Sequence, residues 1–203
     1  MFSKHFRFPL YIAAVALACI SLSAVTLAAE RGSDEPVNKR PLKDWLRSVK
    51  EANDRGELNL SVPSEVVIEA NRTAQGGLTA PVVLKKQGDP KAALYFTNFV
   101  TALGESRALQ VFRDANRFRF MLNLTQDEVR FAVSFAEPTP EQAGRTATGF
   151  NSMLVVGRLK SKGKTDSLIY ENTKVSSSGK QVLFSLNLLR KDALTIINKL
   201  STD

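Results

Sequence analysis

Apolar and polar residues alternate along several short stretches of the chain, and each pair of stretches leads into a run whose apolar positions recur every three or four residues. Val66, Ile68 and Ala70 alternate with Val67, Glu69 and Asn71, Gln75-Gly76-Gly77 makes a turn, and Leu78, Ala80, Val82 and Leu84 return on a second strand. Pro81 removes one ladder donor from that strand, which places it at a sheet edge or at a bulge. Asp89-Pro90 is a helix cap followed by proline at the first helical position, and Ala93, Phe96, Phe99, Val100 and Leu103 form an apolar stripe that stops at Gly104.

The same grammar returns twice. Phe118, Phe120, Leu122 and Leu124 face one way on a strand, Thr125 to Glu128 turn the chain, and Val129, Phe131, Val133 and Phe135 face the same way on its partner. Burial of these eight side chains, at ~1.5–3 kcal/mol each, is expected to be the largest stabilising contribution in the domain. Thr139-Pro140-Glu141-Gln142 has the spacing of a capping box, and Ala143, Ala147, Phe150, Leu154 and Gly157 share the inward face of the helix it opens, which a basic last turn and Gly163 close. The third unit has a strand from Asn172 to Ser177, a turn at Ser178-Gly179, alternation at Val182, Phe184, Leu186 and Leu188, and a helix with Ala193, Leu194, Ile197 and Leu200. The expected fold class is α+β, an antiparallel sheet from three β-hairpin–helix units with helices packed on one face.

Upstream, Leu42, Trp45, Leu46 and Val49 share one face of a short helix that Gly56 ends, with Trp45 packing on the domain. Residues 30–57 thus hold a polar linker and this helix, and 58–203 form the domain. Lys4, His5 and Arg7 precede an uncharged stretch from Phe8 to Ala29, which is a membrane-targeting segment. Residues 10–29 are long enough to anchor the chain in a bilayer, Thr26-Leu27-Ala28 offers a signal cleavage site, and Ala16-Leu17-Ala18-Cys19 offers a lipoprotein site. In each case the basic flank places the body outside the cytoplasm, in the periplasm or held at the inner membrane.

The whole chain of 203 residues carries a formal charge of +8, and removal of Lys4 and Arg7 from 28 basic residues against 20 acidic ones leaves +6. Such an excess favours anionic lipid headgroups or envelope polymers, although it also serves solubility alone. The lone cysteine, Cys19, and the lone histidine, His5, both lie in the targeting segment. The exported body therefore has no Ser-His-Asp or Cys-His nucleophile, no histidine proton shuttle, no histidine or cysteine zinc site and no disulfide. Ser161 with Lys164, and Ser177 with Lys180, have Ser-x-x-Lys spacing but fall in polar loops rather than in the helix that chemistry requires. Glu137 and Glu141 flank a helix entrance, where acids complement the N-terminal dipole. Gly157 to Thr165 has five residues between its glycines where a phosphate loop has four, and it ends a helix instead of starting one. No enzyme, cofactor, metal or nucleic-acid partner is expected. Two basic surfaces are candidates for an anionic partner: Arg117, Arg119 and Arg130 on the open side of the central strands, and Arg158, Lys160, Lys162 and Lys164 at the end of the second long helix.

Val67-Ile68-Glu69, the turn at Gly76-Gly77, then Leu78, Pro81-Val82-Val83, Gly88-Asp89 and a helix with Ala92, Leu94 and Ala102-Leu103 resemble, over residues 60–104, the C-terminal domain of TonB-type energy transducers. The resemblance implies a non-enzymatic envelope module that binds another envelope protein; apart from it, the alternative is a periplasmic binding protein for an anionic ligand or envelope polymer. Asn59-Leu60-Ser61-Val62-Pro63 stands where the family has a Tyr-Pro motif. The spacer is about twelve residues, at most ~40 Å, too short to cross an envelope, which counts against energy transduction to an outer-membrane receptor.

Overall fold

The alternating stretches become one antiparallel sheet of six strands, accompanied by five helices, in a computed structural model that describes residues 37–58, 62–165 and 167–200. The targeting segment with its cleavage and lipoprotein sites, and the linker up to residue 36, lie outside the described residues. In chain order the elements are α1 (Arg40–Asp54), β1 (Ser64–Asn71), β2 (Val82–Gln87), α2 (Pro90–Ser106), β3 (Arg117–Leu124), β4 (Glu128–Ala136), α3 (Pro140–Ser161), α4 (Ser167–Asn172), β5 (Thr173–Ser178), β6 (Gln181–Leu189) and α5 (Arg190–Leu200). Among the described residues no helix is long and apolar enough to cross a membrane.

The strand order is β2-β1-β3-β4-β6-β5. The three expected hairpins are present, and β1–β3 and β4–β6 pairings join them. Two connections cross over a strand. The chain passes from β2 through α2 to β3 across β1, and from β4 through α3 and α4 to β5 across β6.

Side chains alternate across each strand, so one face of the sheet collects Val66, Ile68, Phe118, Phe120, Leu122, Val129, Phe131, Val133, Val182, Leu186 and Leu188, all buried. The eight inward positions expected on β3 and β4 are all in the core. Helical residues close over this face as part of the same cluster. α1 joins it through Leu42, Trp45, Leu46, Val49 and Ala52, and is therefore built into the domain. The Trp45 indole N–H donates to the Tyr95 carbonyl at 2.8 Å, and its ring lies 4.9 Å from that of Phe99. A second aromatic group gathers farther along β4, where Phe118 and Phe135 pair and Phe112 lies 4.6 Å from Phe135 and 5.4 Å from Phe150.

Several expectations need correction. β2 begins at Val82, not Leu78; Leu78 makes only an isolated bridge to Arg72, because Thr73 and Gly77 close a tight turn of their own first. α2 continues past Gly104 to Ser106 and is capped by Arg107 in the left-handed region. Gly104 is small for another reason, since a Cβ there would stand 2.9 Å from the backbone nitrogen of Leu78. Glu128, expected in a turn, starts β4, and α4 was not expected at all. On α5, Ala193 and Ile196 are buried, while the side chains of Leu194, Ile197 and Leu200 lie outside the described residues.

The capping box of α3 forms as its spacing requires: Gln142 N–H donates to the Thr139 hydroxyl at 3.2 Å, and Thr139 N–H to the Gln142 side chain at 3.1 Å. Behind it, a bond from its own backbone N–H, assisted by the Thr139 hydroxyl, holds the Glu141 carboxyl below its ordinary value of 4.5. A carboxylate with a depressed folded pKa contributes stability that is present above the ordinary value and lost as pH falls through the folded one. Glu141→Gln is therefore expected to reduce the fall in melting temperature on acidification below about pH 4.5 and to leave the fall from other acids in place. Melting curves of both proteins across that range measure the difference.

Candidate functional site

A six-stranded sheet leaves two outer strands, and the two are treated differently by their surroundings. At one end, β5 is attended by α3: Asn151 donates to the Val175 carbonyl at 2.9 Å, and Arg158 reaches the Thr173 carbonyl at 3.4 Å. At the other end, β2 is exposed along its whole length. Val82, Val83 and Leu84 are 59, 40 and 49% exposed, and Lys85 and Lys86 follow them. Three consecutive exposed aliphatic residues on an outer strand are a candidate interaction surface, because an outer strand presents main-chain groups beside them.

The sequence explains this local form. Pro81 stands just before the strand, consistent with the expected edge position. The β1–β2 register slips between Val67 and Ile68, so that Leu84 has no partner on β1 and bulges. Gly88 ends the strand with φ +92°, and Asp89 N–H donates to the Ser64 hydroxyl at 3.1 Å before its own side chain caps α2 by accepting from Lys91 N–H at 2.8 Å. β2 is thus pinned at its far end and open on its flank.

The first basic surface lies on the open face of the sheet, and its arginines meet carboxylates. Glu69 lies 3.7 Å from Arg117 and 3.5 Å from Arg119, and Glu128 lies 2.7 Å from Arg130. These pairs are solvated and worth at most ~1 kcal/mol each, but they answer three positive charges with two negative ones. The second surface divides. The Arg158 guanidinium donates to the Tyr170 carbonyl at 2.8 Å and ties α3 to α4, whereas Lys160, Lys162 and Lys164 are exposed.

Neither Ser-Lys pair forms a catalytic arrangement. Ser161 is buried and donates to the Gly157 carbonyl at 2.7 Å, while Lys164 is exposed, and Ser177 and Lys180 both face solvent. Glu137 and Glu141 separate: Glu141 stays at the helix entrance, and Glu137 is buried, accepting from the Thr146 hydroxyl at 2.9 Å. Glu137 and Thr146 line a shallow cleft of about 450 Å3 together with Asp114, Arg113, Arg145 and Gln142. The cleft carries both signs of charge and so does not select an anion. Sequence reading missed it because its residues come from a loop, a strand end and a helix start.

Among the described residues no group of three His, Cys, Asp or Glu residues is gathered to hold a metal ion. No family model, curated protein or solved structure matches the chain.

Proposed function

We propose that the chain is a non-enzymatic, TonB-like module of the cell envelope, exported and held outside the cytoplasm, that binds another envelope protein by accepting one of its extended segments beside β2. The observation that carries this is the open flank of β2 with Val82, Val83 and Leu84 exposed on it. Strand addition draws affinity from main-chain hydrogen bonds and specificity from alternate side chains. Here the aliphatic residues favour apolar positions in the added segment, and Lys86 favours an acidic one beyond them, Lys85 being already paired with Glu65 at 2.7 Å. The targeting segment supports an envelope location, and the hairpin, Gly88-Asp89 cap and α2 supply the elements on which the TonB resemblance rests.

A photo-crosslinking amino acid placed at Val83 of the full chain, in cells that export it, tests the proposal. The expected result is one recurrent crosslinked envelope protein from position 83 and none from Ser176 on the opposite outer strand. V82K/L84K is expected to remove that crosslink while leaving stability within about 0.5 kcal/mol, because both positions are exposed. An unchanged crosslink in the double variant overturns docking at this edge.

A further inference from the structure

The exposed apolar residues of α3 are not scattered. Ser152, Val155, Val156 and Leu159 stand at i, i+3, i+4 and i+7, the spacing of one helical face, and Val155, Val156 and Leu159 are 51, 48 and 73% exposed. The face opposite them carries Ala147, Phe150 and Leu154 into the core, so this outer stripe has no role in holding the helix. Immediately beyond it Lys160, Lys162 and Lys164 are exposed, and among the described residues none of the three forms an ion pair. From Gln142 to Thr165 the sequence has no acidic residue.

We infer that this end of α3 docks on an anionic lipid bilayer, with Val155, Val156 and Leu159 entering the headgroup boundary and the three lysines lying over lipid phosphates. Aliphatic residues bordered by unpaired lysines match such a surface in both polarity and charge. A protein partner would need carboxylates facing all three lysines, whereas a bilayer supplies negative charge at every position. The chain before the domain adds reach: the uncharged segment ends at Ala29 and α1 starts at Arg40, so about ten residues, spanning at most ~35 Å, keep a retained segment's domain beside the membrane. The inference rests on the export proposed above for which membrane is met, and on nothing at β2.

The test uses the full chain carrying Cys19→Ser and Ser152→Cys, labelled with an environment-sensitive fluorophore, with vesicles of brominated phosphatidylcholine prepared with or without phosphatidylglycerol. Ser152 lies on the stripe, and its replacement leaves all six proposed contact residues native. Quenching is expected at position 152 in the anionic vesicles, with none for a label at Ser176→Cys. Each lysine replaced by glutamine is expected to weaken the phosphatidylglycerol-dependent quenching about fivefold, and K160Q/K162Q/K164Q on the order of a hundredfold. V155S/V156S/L159S is expected to abolish it, with an unchanged melting temperature showing that the fold persists. V82K/L84K is expected to quench as the parent does, which separates failure here from failure at the sheet edge. Equal quenching at both label positions, indifference to phosphatidylglycerol, or shielding of position 152 without lipid by a second copy of the chain each overturns the inference.

Discussion

Phe99→Ala is expected to destabilise the domain by about 3–5 kcal/mol, the usual range for deleting a fully buried phenylalanine. Phe99 has no exposure. Its ring sits 4.9 Å from Trp45 on α1, 5.9 Å from Phe96 and 5.8 Å, edge to face, from Phe131 in the middle of β4. It is therefore the point at which α1, α2 and the sheet meet, and its removal leaves a gap that three rigid aromatic neighbours cannot close. Domains of this kind have total stabilities of ~5–15 kcal/mol, so the loss is a large part of the whole. Urea unfolding would show a lower midpoint at an unchanged slope. Leu94→Ala on the same helix is the control: its side chain is 57% exposed, and a change within about 0.5 kcal/mol is expected. Equal effects at the two positions would contradict the packing described.

Gly88→Ala is expected to cost about 3 kcal/mol, of which ~1–2 comes from a positive φ and the rest from a clash that cannot relax. A methyl group at this position would lie 2.3 Å from the Pro63 carbonyl oxygen and 2.7 Å from the Ser64 Cα, both backbone atoms. It would also meet the Ser64 hydroxyl that receives Asp89 N–H, loosening the junction from β2 into α2. Gly179→Ala is the comparison. It too has a positive φ, +53°, but nothing stands within 4 Å of the added carbon, so only the conformational part of the cost, ~1–2 kcal/mol, is expected. Thermal unfolding of the two variants side by side measures the difference.

What could be read from the chain before folding divides along physical lines. The inward faces of β3 and β4 were legible because each strand has one dry and one wet side, so the alternation is strict. The caps at Asp89-Pro90 and Thr139-Pro140-Gln142 were legible because a helix start has its own local chemistry. The start of β2 was not, since a strand wet on both sides carries no alternation, and Leu78 and Ala80 supplied a false one. α4, at six residues, is shorter than two helical turns and shows no period. Gly104 resembled a helix stop because the approach of Leu78 is a tertiary fact.

The candidate surface was visible only in part. Pro81 marked the edge, but the exposure of Val82, Val83 and Leu84 depends on where α2 lies. The three arginines are exposed, and Glu69 reaches Arg117 and Arg119 through a pairing between strands far apart in the chain, which no local pattern carries.

The two connections that each leap one strand divide the assembly of the sheet into quick and slow steps. The β3–β4 and β5–β6 ribbons close over turns of three and two residues, within microseconds by the usual rates, before any distant part of the chain is needed. Joining β1 to β3 and β4 to β6 is slower, because the first junction closes a loop containing α2 and the second a loop containing α3 and α4. During that interval the flanks of β3 and β4 lack their neighbours, and the aromatic rows of the central ribbon are the chain's period of greatest vulnerability to mispairing with another nascent copy.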